Sequence, residues 1–335
     1  MKNTIQKKKK EKKFKLFDLN RDGKGVYEKE SRKPTLKFFF VLFKRKFTQL
    51  LQLNLMMLPM IIPIIVIAAL YLVGTKTNTV TEAVYVPLHG ITTILPSPSL
   101  TAAADLSGIQ MELPVFSTGM NITIIVCVLF LALTFGWQNV GSKYVLRGLF
   151  RGDAVFVFTD YFYAIKRNFK QAFWVGLLDF ICSAVLIIDF IFFFFRTGSF
   201  GADFMYFTIF AISIIYIIMR FYIYHLLITF NLSTLKILKN ALIFTVLGIK
   251  RNLMGLVGLV LLLGIHLLLI LTFIPMGISI PLILPLVYLL AWCGFITTYA
   301  AYPIIDRYMI EPYQSAGLES DTENDESDSI ESSEI

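Results

Sequence analysis

Two ionisable residues lie deep inside apolar runs of the sequence, where an isolated charge is costly. Asp179 comes nine residues after Lys170, and Arg220 comes ten residues before Phe230. In antiparallel helices that rise about 1.5 Å per residue, both side chains would lie roughly 13–15 Å from the same end. We therefore predict an intramembrane charge pair. Its role is open between fixing helix register and coupling to a proton or solute, and Arg220 could instead extend to the headgroups.

The segment FDLNRDGKGVYEKE, residues 17–30, begins like a calcium loop. Asp18, Asn20, Asp22 and Gly23 stand at loop positions 1, 3, 5 and 6. Position 12 is Lys29, where such a loop needs a bidentate glutamate. The segment is therefore interpreted as a cytoplasmic lead-in to the membrane rather than as a metal site.

The remaining residues that could take part in catalysis or metal binding are scattered along the chain. Cys127, Cys182 and Cys293 lie in apolar runs without a CxxC pair, and His225 and His266 are isolated. We interpret all five as packing residues. The sequence contains no phosphate-binding loop, no G-x-S-x-G elbow and no H-E-x-x-H motif. We expect no metal, no cofactor and no enzymatic activity.

The elements that must position these residues are apolar helices. Hydrophobic residues make up 56% of the chain and charged residues 16%, against roughly 25% charged in an average soluble domain. A membrane-spanning helix needs about 20 apolar residues. The sequence predicts an all-α polytopic membrane protein with about six transmembrane helices and short amphipathic cytoplasmic helices. The predicted spans are residues 49–73, 119–140, 171–195, 204–230, 253–272 and 281–302.

The distribution of Lys and Arg predicts the topology, because basic residues resist translocation. The first 46 residues hold 17 of them, residues 143–170 hold six and residues 236–251 hold four, while Lys76 and Arg196 fall on the other side. We predict a multi-pass protein of the cell membrane with both termini cytoplasmic. Residues 1–46 form a basic arm, 47–305 the six-span domain with an external segment at 74–118, and 306–335 an acidic disordered tail. The excess positive charge is therefore not evidence for a nucleic acid partner.

The tetrapeptide Ile-Lys-Arg-Asn occurs twice, at residues 165–168 and 249–252, each time before a predicted span. We call residues 166–171 the first hinge and residues 239–252 the second hinge. Amphipathic segments, 156–165 and 235–247, precede the two tetrapeptides and are expected either to rest on the membrane surface or to pack on the bundle. The cations should anchor the spans at the headgroups, and the asparagines should satisfy backbone groups where the helices enter the membrane. A looser version of this pattern precedes the first span, where the basic residues 44–46 are followed by Asn54.

Around the first hinge the sequence resembles the YesL-like family of bacterial integral membrane proteins. The stretches RGLFRGD, residues 147–153, and DYFYAIKRNFKQA, residues 160–172, carry the resemblance, and it extends over roughly residues 23–306. Within them, Tyr161 and Ala164 stand at positions that match the family pattern. The candidate site residues are Arg151, Gly152, Asp153, Lys166, Asn168, Phe169, Lys170 and Gln171 in the motif, and Lys239, Asn240, Lys250, Arg251 and Asn252 in the second hinge.

The resemblance implies an accessory role in carbohydrate uptake by an ABC-type transporter, or in its regulation, with no catalytic residue attached to the motif. The expected partners are the lipid bilayer and a sugar ABC-transporter permease or another membrane protein, and no oligomeric state is predicted. A secondary transporter or permease in its own right is the alternative, favoured by the charge pair and by prolines in and around the spans. A membrane-embedded enzyme is a third interpretation.

Overall fold

The computed structural model describes residues 34–80, 110–196, 198–273, 276–278 and 280–312. The calcium-like segment, most of the predicted external segment and most of the acidic tail lie outside the described residues. The described chain forms nine α-helices, two strands and a π-helical turn. In chain order these are α1 Leu36–Met56, α2 Leu58–Val73, β1 Thr75–Val80, β2 Gln110–Val115, α3 Thr118–Arg151, α4 Val157–Arg167, α5 Phe169–Phe194, α6 Phe200–Thr229, α7 Thr234–Leu247, α8 Ile249–Phe273, α9 Ile280–Ile305 and the π turn Asp306–Ile310.

Five of these helices are long and apolar enough to cross a membrane: α3, α5, α6, α8 and α9 with its π turn. A sixth crossing results if α1 and α2 form one bent span. The prediction of an all-α polytopic membrane protein is therefore confirmed. The short helices α4 and α7 occupy the two segments predicted to be amphipathic.

The first predicted span differs from the continuous run 49–73. Its helix begins earlier, at Leu36, and the chain bends by 56° between α1 and α2. The Met57 N–H closes α1 on the carbonyls of Leu53 and Asn54. Pro59 explains the break, because a proline has no N–H to continue the ladder and its ring clashes with the carbonyl four residues earlier.

The second predicted span, 119–140, lies within a longer helix. Helix α3 runs on for 34 residues to Arg151 and ends at Gly152, whose φ of 79° is a left-handed cap that glycine adopts without strain. Lys143, counted as a cytoplasmic charge from the sequence, therefore lies inside the helix. Its neighbours Val140, Leu146 and Leu149 are buried, so the apolar face of α3 continues past the lysine.

Two strands close the described part of the predicted external segment. They pair antiparallel, from Thr75 opposite Val115 to Val80 opposite Gln110. Since β1 follows α2 and β2 precedes α3, the sheet joins the ends of these two helices.

Helices α3 and α5 cross in direct backbone contact. A Cβ added to Gly136 would lie 1.8 Å from the Ala172 carbonyl oxygen, and one added to Gly176 would lie 2.1 Å from the Gly136 Cα. Small residues allow such close approach, which stabilises helix pairs in membranes by packing. Gly176 lies about one helical turn before Asp179, so the crossing fixes the part of α5 that carries the carboxylate. The Asp179 side chain is thereby positioned against α3 and α6.

Replacing Gly176 with valine should lower the stability of the protein, because the added atoms meet the backbone of α3 and cannot be accommodated by a side-chain rotation. We expect the free energy of unfolding to fall by about 1–3 kcal/mol, measured by SDS-induced unfolding of the purified protein in mixed micelles. Gly264→Val is the matched control, since a Cβ at that glycine of α8 has nothing within 4 Å. Equal effects of the two substitutions would contradict the close crossing.

Candidate functional site

The predicted charge pair is present, and it lies at the centre of a polar network. The Nε atom of Arg220 is 2.9 Å from Oδ1 of Asp179 and 3.1 Å from Oδ2. The Tyr216 hydroxyl donates to Oδ1 at 2.7 Å, and the Tyr224 hydroxyl donates to Oδ2 at 2.6 Å. The Asp179 side chain is 1% exposed. Each carboxylate oxygen is thus bonded by a phenol and by the guanidinium.

This pair lies far from both ends of its helices. Asp179 is ten residues from the start of α5 and Arg220 is nine residues from the end of α6, so each lies about 14–15 Å along its helix. The Arg220 guanidinium also lies over the ring of Phe135 on α3, 5.3 Å from its centroid. The arginine therefore joins three helices, through a cation–π contact as well as an ion pair.

A second polar group in the bundle was missed from the sequence. Lys143 is buried, and its Nζ donates to the Thr297 hydroxyl at 2.6 Å, with the Gly294 carbonyl at 3.5 Å. It has no carboxylate partner among the described residues. The Lys143 amine is thus held by a hydroxyl and a carbonyl of α9 rather than by an ion pair.

His225 belongs to the same group, although the sequence suggested only an isolated packing residue. Its Nε2 is 3.1 Å from the Thr298 hydroxyl, which donates its own proton to Gly294. Nε2 must therefore be the protonated nitrogen, and Nδ1 is left as a buried acceptor without a described partner. Thr298 is fully buried, so the histidine is fixed in this orientation.

The sequence contained one signal for these residues. The apolar pattern of α3 continues through residues 145–149, which indicates that Lys143 lies on a helix with a buried face. The partners Thr297 and Thr298 on α9 carry no such signal, because threonine is common in any membrane helix.

The first hinge joins α4 to α5 with a single residue between them, Asn168. Its side-chain amide donates to the Ala164 carbonyl at 3.0 Å, so it satisfies backbone at the end of α4 as proposed from the sequence. Upstream, Arg151 lies 3.7 Å from Asp153 across the Gly152 turn. Tyr161 packs against Gly141 on α3, and burial raises the pKa of its phenol.

The remaining first-hinge residues surround a cavity. Lys166, Arg167 and Lys170 are exposed there, and Phe169 stacks on Trp137 with ring centroids 4.5 Å apart. Gln171 donates to the Leu232 carbonyl at 2.6 Å, which ties the start of α5 to the chain beyond α6.

The second hinge makes different contacts from those predicted. Arg251 donates to the carbonyls of Pro34 at 2.9 Å and Tyr299 at 3.3 Å, so it holds the entry to α1 rather than extending freely to headgroups. Lys239 and Lys250 are exposed, and the side chain of Asn240 forms no hydrogen bond with the described residues.

Asn252 is the best-satisfied residue of that hinge. It is fully buried, and its amide nitrogen donates at 3.0 Å to the carbonyls of Phe244 and Thr245 at the end of α7. Its amide oxygen accepts a hydrogen bond from the Tyr222 hydroxyl. One side chain thus completes the end of α7 and joins it to α6 and α8.

The other predicted candidates stay apart. His266 lies on α8, where its Nδ1 is 3.0 Å from the Tyr288 hydroxyl. Cys127, Cys182 and Cys293 are free thiols on α3, α5 and α9. In the described ranges, no group of three or more His, Cys, Asp or Glu residues has an arrangement that could hold a metal ion.

A comparison of the chain with protein-family models, with characterised proteins and with solved structures gives no match. The arrangement of the polar residues and the sequence resemblance are therefore the two grounds on which a function is proposed below.

Asp179→Asn should destabilise the protein more than the double substitution Asp179→Asn/Arg220→Gln, because the single change leaves a guanidinium unpaired inside the bundle. We expect a coupling energy of about 1–3 kcal/mol from the double-mutant cycle, measured by unfolding in mixed micelles. Asp189→Asn is the matched control, since Asp189 lies on the same helix and forms no ion pair with the described residues. Strictly additive effects would show that the two residues are not coupled.

Asn252→Ala should cost about 1–3 kcal/mol of stability, since it leaves buried carbonyls of α7 and the Tyr222 hydroxyl without a partner. The matched substitution Asn240→Ala removes the same side chain twelve residues earlier and should change the stability by less than about 0.5 kcal/mol. Unfolding of both variants under the same conditions checks the difference, and a larger loss for Asn240→Ala would contradict the proposed role.

Proposed function

We propose that the protein is a non-enzymatic accessory protein of the cell membrane that acts in carbohydrate uptake by an ABC-type transporter, or in its regulation. In this proposal both termini face the cytoplasm, as the distribution of Lys and Arg predicts. The expected partner is the permease of such a transporter. The resemblance of the first hinge to the YesL-like family supports this setting.

The proposal rests on one observation, that both carboxylate oxygens of Asp179 are fully hydrogen-bonded. Two phenols and a guanidinium bond its two oxygens at 2.6–3.1 Å. A proton relay needs a carboxylate that can gain and lose its bonds, whereas a carboxylate with all these donors in place fixes its neighbours. The network joins α3, α5 and α6 into one unit, and such a fixed arrangement favours a protein that binds a partner over one that carries a proton through Asp179.

Purification of the tagged protein from its native membranes after chemical crosslinking tests the proposal. We expect a sugar-permease subunit in near-stoichiometric amount, and sugar uptake that falls when the gene is deleted although the permease remains at its normal level. An unrelated multi-pass protein, tagged and expressed at the same level, is the control. Equal recovery of the permease with both proteins, or unchanged uptake in the deletion strain, would contradict the proposal.

The alternative is a transporter in its own right, and Lys143 is the observation in its favour. The Lys143 amine is buried, donates to the Thr297 hydroxyl and has no carboxylate partner among the described residues, so an anionic solute could serve as its partner. Under this alternative the chain alone should give saturable solute uptake into proteoliposomes.

Lys143→Gln separates the two functions. If the protein is an accessory, proteoliposomes with the wild type and with Lys143→Gln should both show the same solute uptake as empty liposomes. Uptake that is present in the wild type, lost in Lys143→Gln and kept in the exposed-lysine control Lys236→Gln would establish the transporter instead.

A further inference from the structure

The first hinge borders an open cavity that the proposed function does not use. It has a volume of about 650 Å³ and lies between the α4–α5 connection and the end of α6. Residues 166–171 form one wall, and Leu227, Phe230 and Asn231 form the other.

The charge of the cavity has one sign. Lys166, Arg167 and Lys170 line it, and no acidic residue does. None of the three forms an ion pair with a residue in the described part of the chain. Three unpaired cations around one cavity attract an anion, and basic cavities between membrane helices suit phosphate-bearing headgroups.

Hydrogen bonds within the protein hold the walls of the cavity in place. Gln171 bonds to the Leu232 carbonyl at 2.6 Å, and the Trp137 indole N–H donates to the Phe169 carbonyl at 3.0 Å. Asn168 fixes the connection through its bond to Ala164. A preformed cavity reduces the ordering cost of binding.

The position of the cavity argues for a lipid rather than a free solute. It lies where α5 begins and α6 ends, and both are candidate spans, so with these helices across a bilayer the cations would stand at headgroup depth. Phe169 is 50% exposed and Trp174 is 65% exposed, as expected for aromatic side chains at the interface. Acyl chains can extend along this apolar surface while the phosphate remains among the cations.

We propose that this cavity is a binding site for the phosphate of an anionic phospholipid headgroup. Lys166, Arg167 and Lys170 supply the charge, and the exposed aromatic side chains beside them contact the acyl chains. The site does not depend on the proposed function, and it distinguishes the first hinge from the second, where Arg251 is bonded to protein carbonyls.

Native mass spectrometry of the full-length protein in detergent, titrated with phosphatidylglycerol, tests the proposal. We expect a tightly bound lipid in the wild type and at least a tenfold weaker affinity in Lys166→Gln/Arg167→Gln/Lys170→Gln. The control Lys236→Gln/Lys239→Gln/Lys250→Gln removes the same number of exposed charges outside the cavity and should stay within about twofold of the wild type. Equal losses in both triple variants would overturn the site in favour of diffuse electrostatic attraction.

Two further measurements keep the outcome decisive. If the first triple variant fails to fold, the single substitution Lys170→Glu at an exposed position replaces it, again with at least a tenfold expected loss and with Lys239→Glu as its control. Phosphatidylcholine should bind at least tenfold more weakly than phosphatidylglycerol. Glycerol phosphate at millimolar concentration is the competing soluble anion. If it displaces the bound lipid and binds with the same affinity as phosphatidylglycerol, the lipid assignment is overturned and the cavity is a site for a free phosphate ester.

Discussion

The ion pair between Asp179 and Arg220 joins helices of the bundle at a level where Asp179 is almost completely buried. Asp179 is reached by two phenols from α6, so its charge is distributed over several hydrogen bonds and not over one contact. Because Arg220 also contacts Phe135, the same charge joins α3 to the pair of α5 and α6. The Gly136–Gly176 crossing brings the helices close enough for these contacts to form. Packing and electrostatics therefore support each other at this level of the bundle.

Asparagine side chains repeat this principle at the helix junctions. Asn54 is fully buried, donates to the Leu286 carbonyl at 2.7 Å and accepts from the Ala291 N–H at 3.0 Å, so it joins α1 to α9. Asn168 and Asn252 bond carbonyls at the ends of α4 and α7. A buried backbone group without a partner costs several kilocalories per mole in hydrocarbon. The amide has both a donor and an acceptor, which makes it suitable for each of these positions.

The basic side chains of the protein differ in their partners. Arg220 is paired with a carboxylate, Arg251 is bonded to main-chain carbonyls, and Lys143 is bonded to a hydroxyl. The cations of the first hinge are instead directed to a cavity at the end of the spans. These first-hinge cations have no acidic residue among the residues that line the cavity.

The sequence by itself determined the helical membrane architecture, because long apolar runs and their flanking cations follow from the thickness and polarity of a bilayer. It also indicated the pairing of Asp179 with Arg220, since helical rise alone puts them at equal depth. The length of α3 and the group of Lys143, Thr297 and His225 were decided only by the tertiary structure, whereas the bend at Met57 has a local cause in Pro59. A proline can end or merely shape a helix, and a lysine beside an apolar run can point to water or inward. For Lys143, only the packing of α3 against α9, which are distant in sequence, decides between water and the interior.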